Sequence, residues 1–308
     1  MIRTGKKYSK PDLSRVINGD TELAAEDKAP EKQRLDIVMA GIYKSYNRST
    51  LQKFIKSGFV TVNGEVITKP NQQVIVPEGE GGKLDDTVRI VLKVPDTQKN
   101  ADLTPDIIYE DENVLVVNKP AGLLSEAKGE YCPERTLADY GHVVHRLDRD
   151  TSGVMILAKN ESVKSFLKKQ FQDRKVHKTY YAVVPGELKL NEARIDLPII
   201  RNLKRPTTFL VDANGKPSET FYKVEKYNGR YSLVQLRPTT GRTHQLRVHL
   251  NYLGHPIVGD TVYGGEPSKR LMLHASSLEI TLPGGKRTTF TVDLPPEFKE
   301  MMQNDASK

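Results

Sequence analysis

From residue 35 the apolar positions fall into a helical rhythm. Leu35, Val38, Met39, Ile42 and Tyr43 recur at three- and four-residue intervals, which is one face of a helix. A polar break follows, in which Asn47 and Ser49 are N-cap candidates. Leu51, Phe54 and Ile55 resume the spacing up to Gly58, a residue suited to a C-terminal cap. The period then changes to two. Residues 59–67 alternate around Asn63-Gly64, the dipeptide of a two-residue hairpin. Residues 31–93 are therefore expected to form a small unit of helix, helix, hairpin and further short strands such as 88–92.

Residues 94–102 are polar, contain Pro95 and lack a period, and are expected to be a linker. From 103 to 298 the chain carries short β-like runs at 114–117, 154–158, 180–184, 221–224, 233–236 and 278–281. One helix interrupts them, with Asn160 as its cap and Val163, Phe166, Leu167 and Phe171 on one face. The expected class is α+β: a mixed, largely antiparallel sheet with a few flanking helices, plus the small α/β unit before it. Residues 1–30 and 299–308 show no sustained period and are expected to be tails.

Composition narrows the reading. The chain has 308 residues, 37% of them apolar, with 47 basic and 39 acidic side chains and a net charge of +8. That is enough for two domains with real cores. No run approaches the roughly 18 apolar residues of a membrane helix, and residues 1–7 carry charge with no apolar run behind them, so neither a membrane span nor a leader is expected. The lone Cys132 rules out an internal disulfide and a cysteine-cluster zinc site, and a reducing, cytoplasmic setting is expected. The basic excess favours a polyanionic partner. It is local: between 31 and 70 there are seven Lys/Arg against three acids, and between 201 and 250 ten against three.

Two polar segments concentrate chemistry. His145-Arg146-Leu147-Asp148-Arg149-Asp150-Thr151-Ser152-Gly153 feeds an apolar strand, the setting in which loops on a rigid sheet carry function. In an extended stretch Asp148 and Asp150 would face opposite ways, so one acts and the other braces the loop. The second segment runs from Thr239 to Leu250. If a helix opens after Gly241, Arg247 lies about a turn from His244, and Leu246, Val248 and Leu250 bury that helix. An arginine there stays cationic and favours the ionised form of a nearby carboxylate, the form an aspartate nucleophile needs. His142, His145 and Asp148 also suggest a metal, but this spacing lacks a further ligand pattern and no metal is expected.

The order and spacing of several segments resemble the pseudouridine synthases of the RluA type. They are Tyr109-Glu110-Asp111-Glu112, Val116-Val117-Asn118-Lys119-Pro120-Ala121-Gly122, the loop 145–153, Lys178-Thr179-Tyr180-Tyr181-Ala182, residues 241–250, 254–260 and Leu273-His274-Ala275. Residues 31–93, through Arg34-Leu35-Asp36, Asn47-Arg48-Ser49 and Val60-Thr61-Val62-Asn63-Gly64, resemble the small RNA-binding domain of ribosomal protein S-four. The resemblance implies the pseudouridine synthase fold and isomerisation of uridine to pseudouridine in structured RNA. No cofactor is implied. Large-subunit ribosomal RNA is the favoured substrate and transfer RNA the alternative, with the chain acting as a monomer. It implies Asp148 as the essential aspartate, by attack on the ribose or the base or by removal of a ribose proton. Tyr180 would stack on the flipped base, with Tyr181 as its competitor, Arg247 would pair with the aspartate, and Arg146 would fill the gap in the RNA. Arg149, Arg242, His244 and Lys178, and Arg34, Arg48, Lys53 and Lys56 in the small domain, are the expected RNA contacts. The competing classes are a non-catalytic RNA-binding or assembly factor and a metal-dependent hydrolase.

Overall fold

The computed structural model describes residues 31–44, 46–76, 88–93, 102–127 and 135–303. The described residues up to 93 belong to one compact unit, and residues 102–126 with 135–303 to a second. The expected tail 1–30, most of the expected linker 94–102, Cys132 and residues 304–308 lie outside the described residues.

The first unit runs β1 (Glu31–Arg34), α1 (Leu35–Ile42), α2 (Arg48–Lys56), β2 (Val60–Val62), β3 (Glu65–Val66), β4 (Gln73–Val76) and β5 (Ile90–Leu92). The helical periodicity holds except at Ile42, which is exposed at the end of α1: Leu35, Val38, Met39, Leu51, Phe54 and Ile55 close a core with Val60 and Leu92. Asn47, not Ser49, caps α2, its side chain accepting from the Thr50 N–H at 2.9 Å, a contact worth about 1 kcal/mol. Asn63 and Gly64 both take positive φ, 52° and 87°, as a type I′ turn requires. The β1–β4 ladder was not anticipated. Asp36 is completely buried and accepts from Arg34, Arg48 and Gln52. Burial opposes its charge, but these donors hold its carboxyl down at about 2.

The second unit continues with β6 (Asp106–Glu110), β7 (Val114–Lys119), a 3-10 turn (Leu137–Asp139), β8 (His142–Val143), β9 (Ser152–Ala158), α3 (Glu161–Gln172), β10 (His177–Pro185), β11 (Glu192–Asp196) and the β12–β13 hairpin (Ile199–Arg201 and Phe209–Val211). It ends with β14 (Glu219–Tyr227), β15 (Tyr231–Pro238), α4 (Gln245–Tyr252), β16 (Leu273–Thr281), β17 (Arg287–Thr291) and α5 (Pro296–Met302). One sheet has the order β11-β14-β15-β10-β16-β9-β7-β6, with β17 beside β16 and β8 beside β9. Among the described residues its pairings are antiparallel except β9–β16, which run parallel through Ser152/His274 and Gly153/Ala275. The architecture is the expected α+β, mixed and largely antiparallel.

Strands β7 and β9 are apolar without alternation because both faces are covered. Val114, Val116, Val154 and Ile156 pack with α3, while Leu115, Val117, Met155 and Leu157 fill the opposite face. Gly153 is required where β9 meets β16. Its φ is +121°, and a Cβ there would lie 2.1 Å from the Ala275 carbonyl oxygen. Two expectations change. In α3 the buried face is Val163, Leu167 and Gln170, whereas Phe166 is 42% exposed. Gln170 takes the inner position because its amide exchanges two hydrogen bonds with Thr281 of β16. The segment from 299 begins not as a tail but within α5, whose Phe298 and Met302, one turn apart, are buried.

Candidate active site

The loop before β9 is fastened from both sides. The Leu147 N–H donates to Ser125 Oγ at 3.1 Å, and that hydroxyl donates to the Leu147 carbonyl at 2.8 Å. Lys119, fully buried at the end of β7, donates to the carbonyls of Pro120, Leu123 and Arg149 at 2.8–2.9 Å. Burial pushes its ammonium down to about 7, against the pull of Asp150 and Asp148. His145 accepts the Ile156 N–H at Nε2 and stacks on Phe171, ring centroids 4.5 Å apart. Burial pushes it down to about 3, so it is a neutral acceptor. Residues 148–151 turn rather than extend, the Thr151 N–H donating to the Asp148 carbonyl at 3.1 Å. Asp150 is exposed while Asp148 faces a cleft.

The cleft has a volume of about 590 Å³ and is lined by Arg146, Asp148, Lys178, Tyr180, Arg242, His244 and Arg247, among others. Tyr180 reaches it from a β-bulge between Thr179 and Tyr180, a device that re-aims a side chain beside a site. Tyr181 does not line it; its hydroxyl accepts from Gln235 at 3.0 Å. Helix α4 starts at Gln245, with His244 as a left-handed N-cap at φ 57°. Gln245 anchors the preceding turn through Thr240 and the Arg242 N–H. Arg247, one turn on, is divided unequally. Nε and Nη2 each donate to Asp260 at 2.7 Å, while Nη1 reaches Asp148 Oδ2 at 3.4 Å. Asp260 also accepts the N–H groups of Val262 and Tyr263.

Arg146, Asp148, Lys178, Tyr180, Arg242, His244 and Arg247 sit within a stretch, 113–252, that matches the family model for RNA pseudouridylate synthase, and an S4 domain model matches 33–75. The chain is 36% identical over 301 residues to the ribosomal large subunit pseudouridine synthase D of Yersinia pestis, covering 88% of this chain and 90% of that protein. It belongs to the RNA pseudouridine synthase family. The chain is also 45% identical over 218 residues to the dual-specificity RNA pseudouridine synthase RluA of Vibrio parahaemolyticus, covering 64% of this chain and 87% of that protein. Among solved structures, human RNA pseudouridylate synthase domain containing 1 superposes with a TM-score of 0.55 at 31% identity, over 64% of this chain and 86% of that one.

In this RluA-type synthase, burial works against the Arg247 charge, but the bonds and charge of Asp260 outweigh it and raise the guanidinium above its ordinary range. Burial and the Asp148 charge push the Tyr180 phenol well up, so it is protonated at neutral pH. Burial pushes Lys178 down to about 8; its ammonium donates to the Thr240 carbonyl at 3.4 Å. Arg242, on the rim, donates to the Pro217 carbonyl. Arg149 lies outside the cleft lining, and its Nε donates to the Gly122 carbonyl. In the first unit, Arg34 and Arg48 point part of their charge inward to Asp36, while Lys53 and Lys56 at the end of α2 are exposed. His142 pairs with Glu161 and His145 accepts a backbone N–H, so the two do not converge on one point. Sequence reasoning gave no role to Asp260, Tyr263 or Asp36, and took Lys119 as structural, at a strand end near the site, where it lies. The signal for Asp260 was its place at the end of the segment 254–260, directly after Gly259.

Proposed function

We propose that this synthase isomerises uridine in large-subunit ribosomal RNA, with Asp148 as its catalytic carboxylate acting on a nucleoside flipped into the cleft. The observation that carries the reading is a half-buried carboxylate facing a cleft of nucleoside size between a shared arginine and a protonated tyrosine. The rearrangement balances within the substrate. The N1–C1′ bond breaks, the C5–C1′ bond forms, and a proton leaves C5 as one is gained at N1. Arg247 approaches Asp148 at 3.4 Å without capturing it, because its two short bonds go to Asp260. Tyr180 stacks on the uracil, and Arg146, exposed at the rim, fills the gap left in the RNA. Extrusion costs a few kcal/mol, and base–aromatic stacking returns about 1–3 kcal/mol.

Lys178, Arg242, His244 and Arg149 bind the RNA around the flipped nucleotide. In the small domain, taken as 31–93 and joined by a linker at 94–102 to a catalytic domain running from 103 through α5, Lys53 and Lys56 contact phosphate, supported by Arg34 and Arg48. The names of relatives such as the Yersinia pestis protein favour the large ribosomal subunit and a cytoplasmic setting. Among the described residues no helix is long and apolar enough to cross a membrane.

The test is to map pseudouridine in total RNA from cells lacking the gene and complemented with wild type, Asp148→Asn or Asp148→Ala. The modification should return only with wild type, while both variants still bind RNA. Wild-type levels of pseudouridine with either variant would overturn the role of Asp148. Restoration in transfer RNA alone would overturn the substrate.

A further inference from the structure

Asp148 faces two nitrogen donors, and residues outside its own loop determine the second. The Phe209 N–H on β13 donates to the Tyr263 hydroxyl oxygen at 2.9 Å. That oxygen lies 2.9 Å from His244 Nδ1, and His244 Nε2 lies 3.9 Å from Asp148 Oδ2. A phenol has one proton to donate and two lone pairs to accept with. Phe209 occupies one lone pair, so the phenol proton is satisfied when it goes to Nδ1. The imidazole proton then rests on Nε2, facing the carboxylate. The opposite tautomer would leave the phenol proton without this acceptor and set a nitrogen lone pair against an anion.

The surroundings agree. Burial pushes the Tyr263 phenol up to about 12 and lowers His244, so both are neutral at pH 7. The charged groups around His244 are Asp148, Asp260, Arg247 and Arg146. The imidazole is held edge-on by Phe209 and Tyr263, at 5.6 and 5.7 Å. His244 also occupies a left-handed backbone conformation, which is costly for a residue with a Cβ and clusters at functional sites.

We propose that Tyr263, itself held by the Phe209 N–H, is a positioning residue that fixes His244 in the Nε2–H tautomer and aims this N–H at Asp148. The inference rests on Asp148 being the catalytic carboxylate. With Arg247 committed mainly to Asp260, His244 supplies a neutral donor that orients Oδ2 without neutralising it. Such bonds are often long before substrate binds and tighten in the complex.

Two measurements test this on the full chain. Two-bond proton–nitrogen NMR of protein labelled with ¹⁵N-histidine, with His244 assigned by its loss in His244→Gln, should show the Nε2–H pattern in wild type and its loss in Tyr263→Phe. An Nδ1–H pattern in wild type, or an unchanged one in Tyr263→Phe, overturns the proposal. Single-turnover rates supply the second. A glutamine amide nitrogen can stand in for Nε2–H and an asparagine amide cannot reach as far. His244→Gln should therefore lose less than about tenfold and His244→Asn about a hundredfold. Tyr263→Phe should cost about tenfold in wild type and nothing further beside His244→Gln. Equal losses in both backgrounds mean a merely structural tyrosine and overturn the proposal. Activity surviving in Asp148→Asn counts against the reading beneath, whereas the tautomer decides this one without turnover.

Discussion

Replacing Asp260 by asparagine breaks the strongest polar contact of the site and changes little in volume. The pair it removes is almost sealed, the Arg247 side chain being 6% exposed and that of Asp260 0%. Two charge-assisted bonds of 2.7 Å are at stake. Asparagine keeps the oxygen that accepts from Val262, Tyr263 and Arg247 Nη2, now without its charge, but presents an amide NH₂ to Arg247 Nε, donor against donor. Breaking a buried pair on one side typically costs about 3–5 kcal/mol. In a unit of this size each kcal/mol is worth about 2–4 °C, so the melting temperature should fall by roughly 6–20 °C. The freed charge then has one neighbouring anion in the cleft, Asp148 at 3.4 Å and 19% exposed. Arg247 should swing onto it and occupy the carboxylate oxygen proposed to act on the substrate, lowering the turnover rate about 10–100-fold with substrate binding nearly unchanged. Thermal melts followed by circular dichroism and single-turnover pseudouridine formation, run well below the variant's melting point, measure the two effects. A variant with wild-type stability and wild-type rate would refute the argument that Asp260 restrains Arg247.

Other consequences can be checked together. His145 has a folded-state value of about 3 and an unfolded one of about 6.5, so between these values only the unfolded chain binds the proton. Stability should be level above about pH 6.5 and fall by a few kcal/mol as pH drops toward 3. Denaturant midpoints at neutral pH and about pH 4.5 should differ less in His145→Gln, and equal acid losses would contradict this. Gly153→Ala should destabilise by more than about 3 kcal/mol through collision with Ala275. Gly64→Ala, at φ +87° with open space around it, should cost only about 1 kcal/mol; similar melting points for the two variants would remove the steric argument. Asp36→Ala should loosen the first unit by about 2 kcal/mol, since Arg34 and Arg48, 42% and 49% exposed, can rehydrate. Faster amide exchange in α1 and α2 is the expected readout, and unchanged protection would show that the buried carboxylate contributes nothing.

Local features were legible in the sequence, and long-range ones only where a motif marked them. Asn47, Asn160 and Asn63-Gly64 act within three residues of themselves, so their chemistry could be read in place. β1 was missed because it is short and charged and its partner β4 lies about forty residues away. α5 was legible in principle: Pro296 opens it and Phe298 and Met302 stand one turn apart, but the surrounding charges masked the pattern. Asp148, Tyr180 and Arg247 were found by motif, and they meet in one cleft. Asp260 stood in the segment 254–260 but was given no role, because no periodicity reports an ion pair between a helix and the loop after it. Phe166 misled because helical spacing tells which residues share a face, not which of them a neighbouring strand will exclude.

The parallel junction of β9 and β16 divides the sheet into two plates. Asp148 rides on the plate of β6, β7 and β9, whereas Tyr180 and the α4 residues ride with β10, β14, β15 and β16. The tight ion pair lies wholly on the second plate and the loose one bridges to the first. The second plate is thus a finished receptor into which the first delivers a single carboxylate. Two residue pairs form the backbone seam, and the Ser152–His274 contact, the Gln170–Thr281 bonds and a shared apolar core join the plates around it. The fit of Asp148 to its partners is therefore set by the packing between the plates rather than by either plate alone.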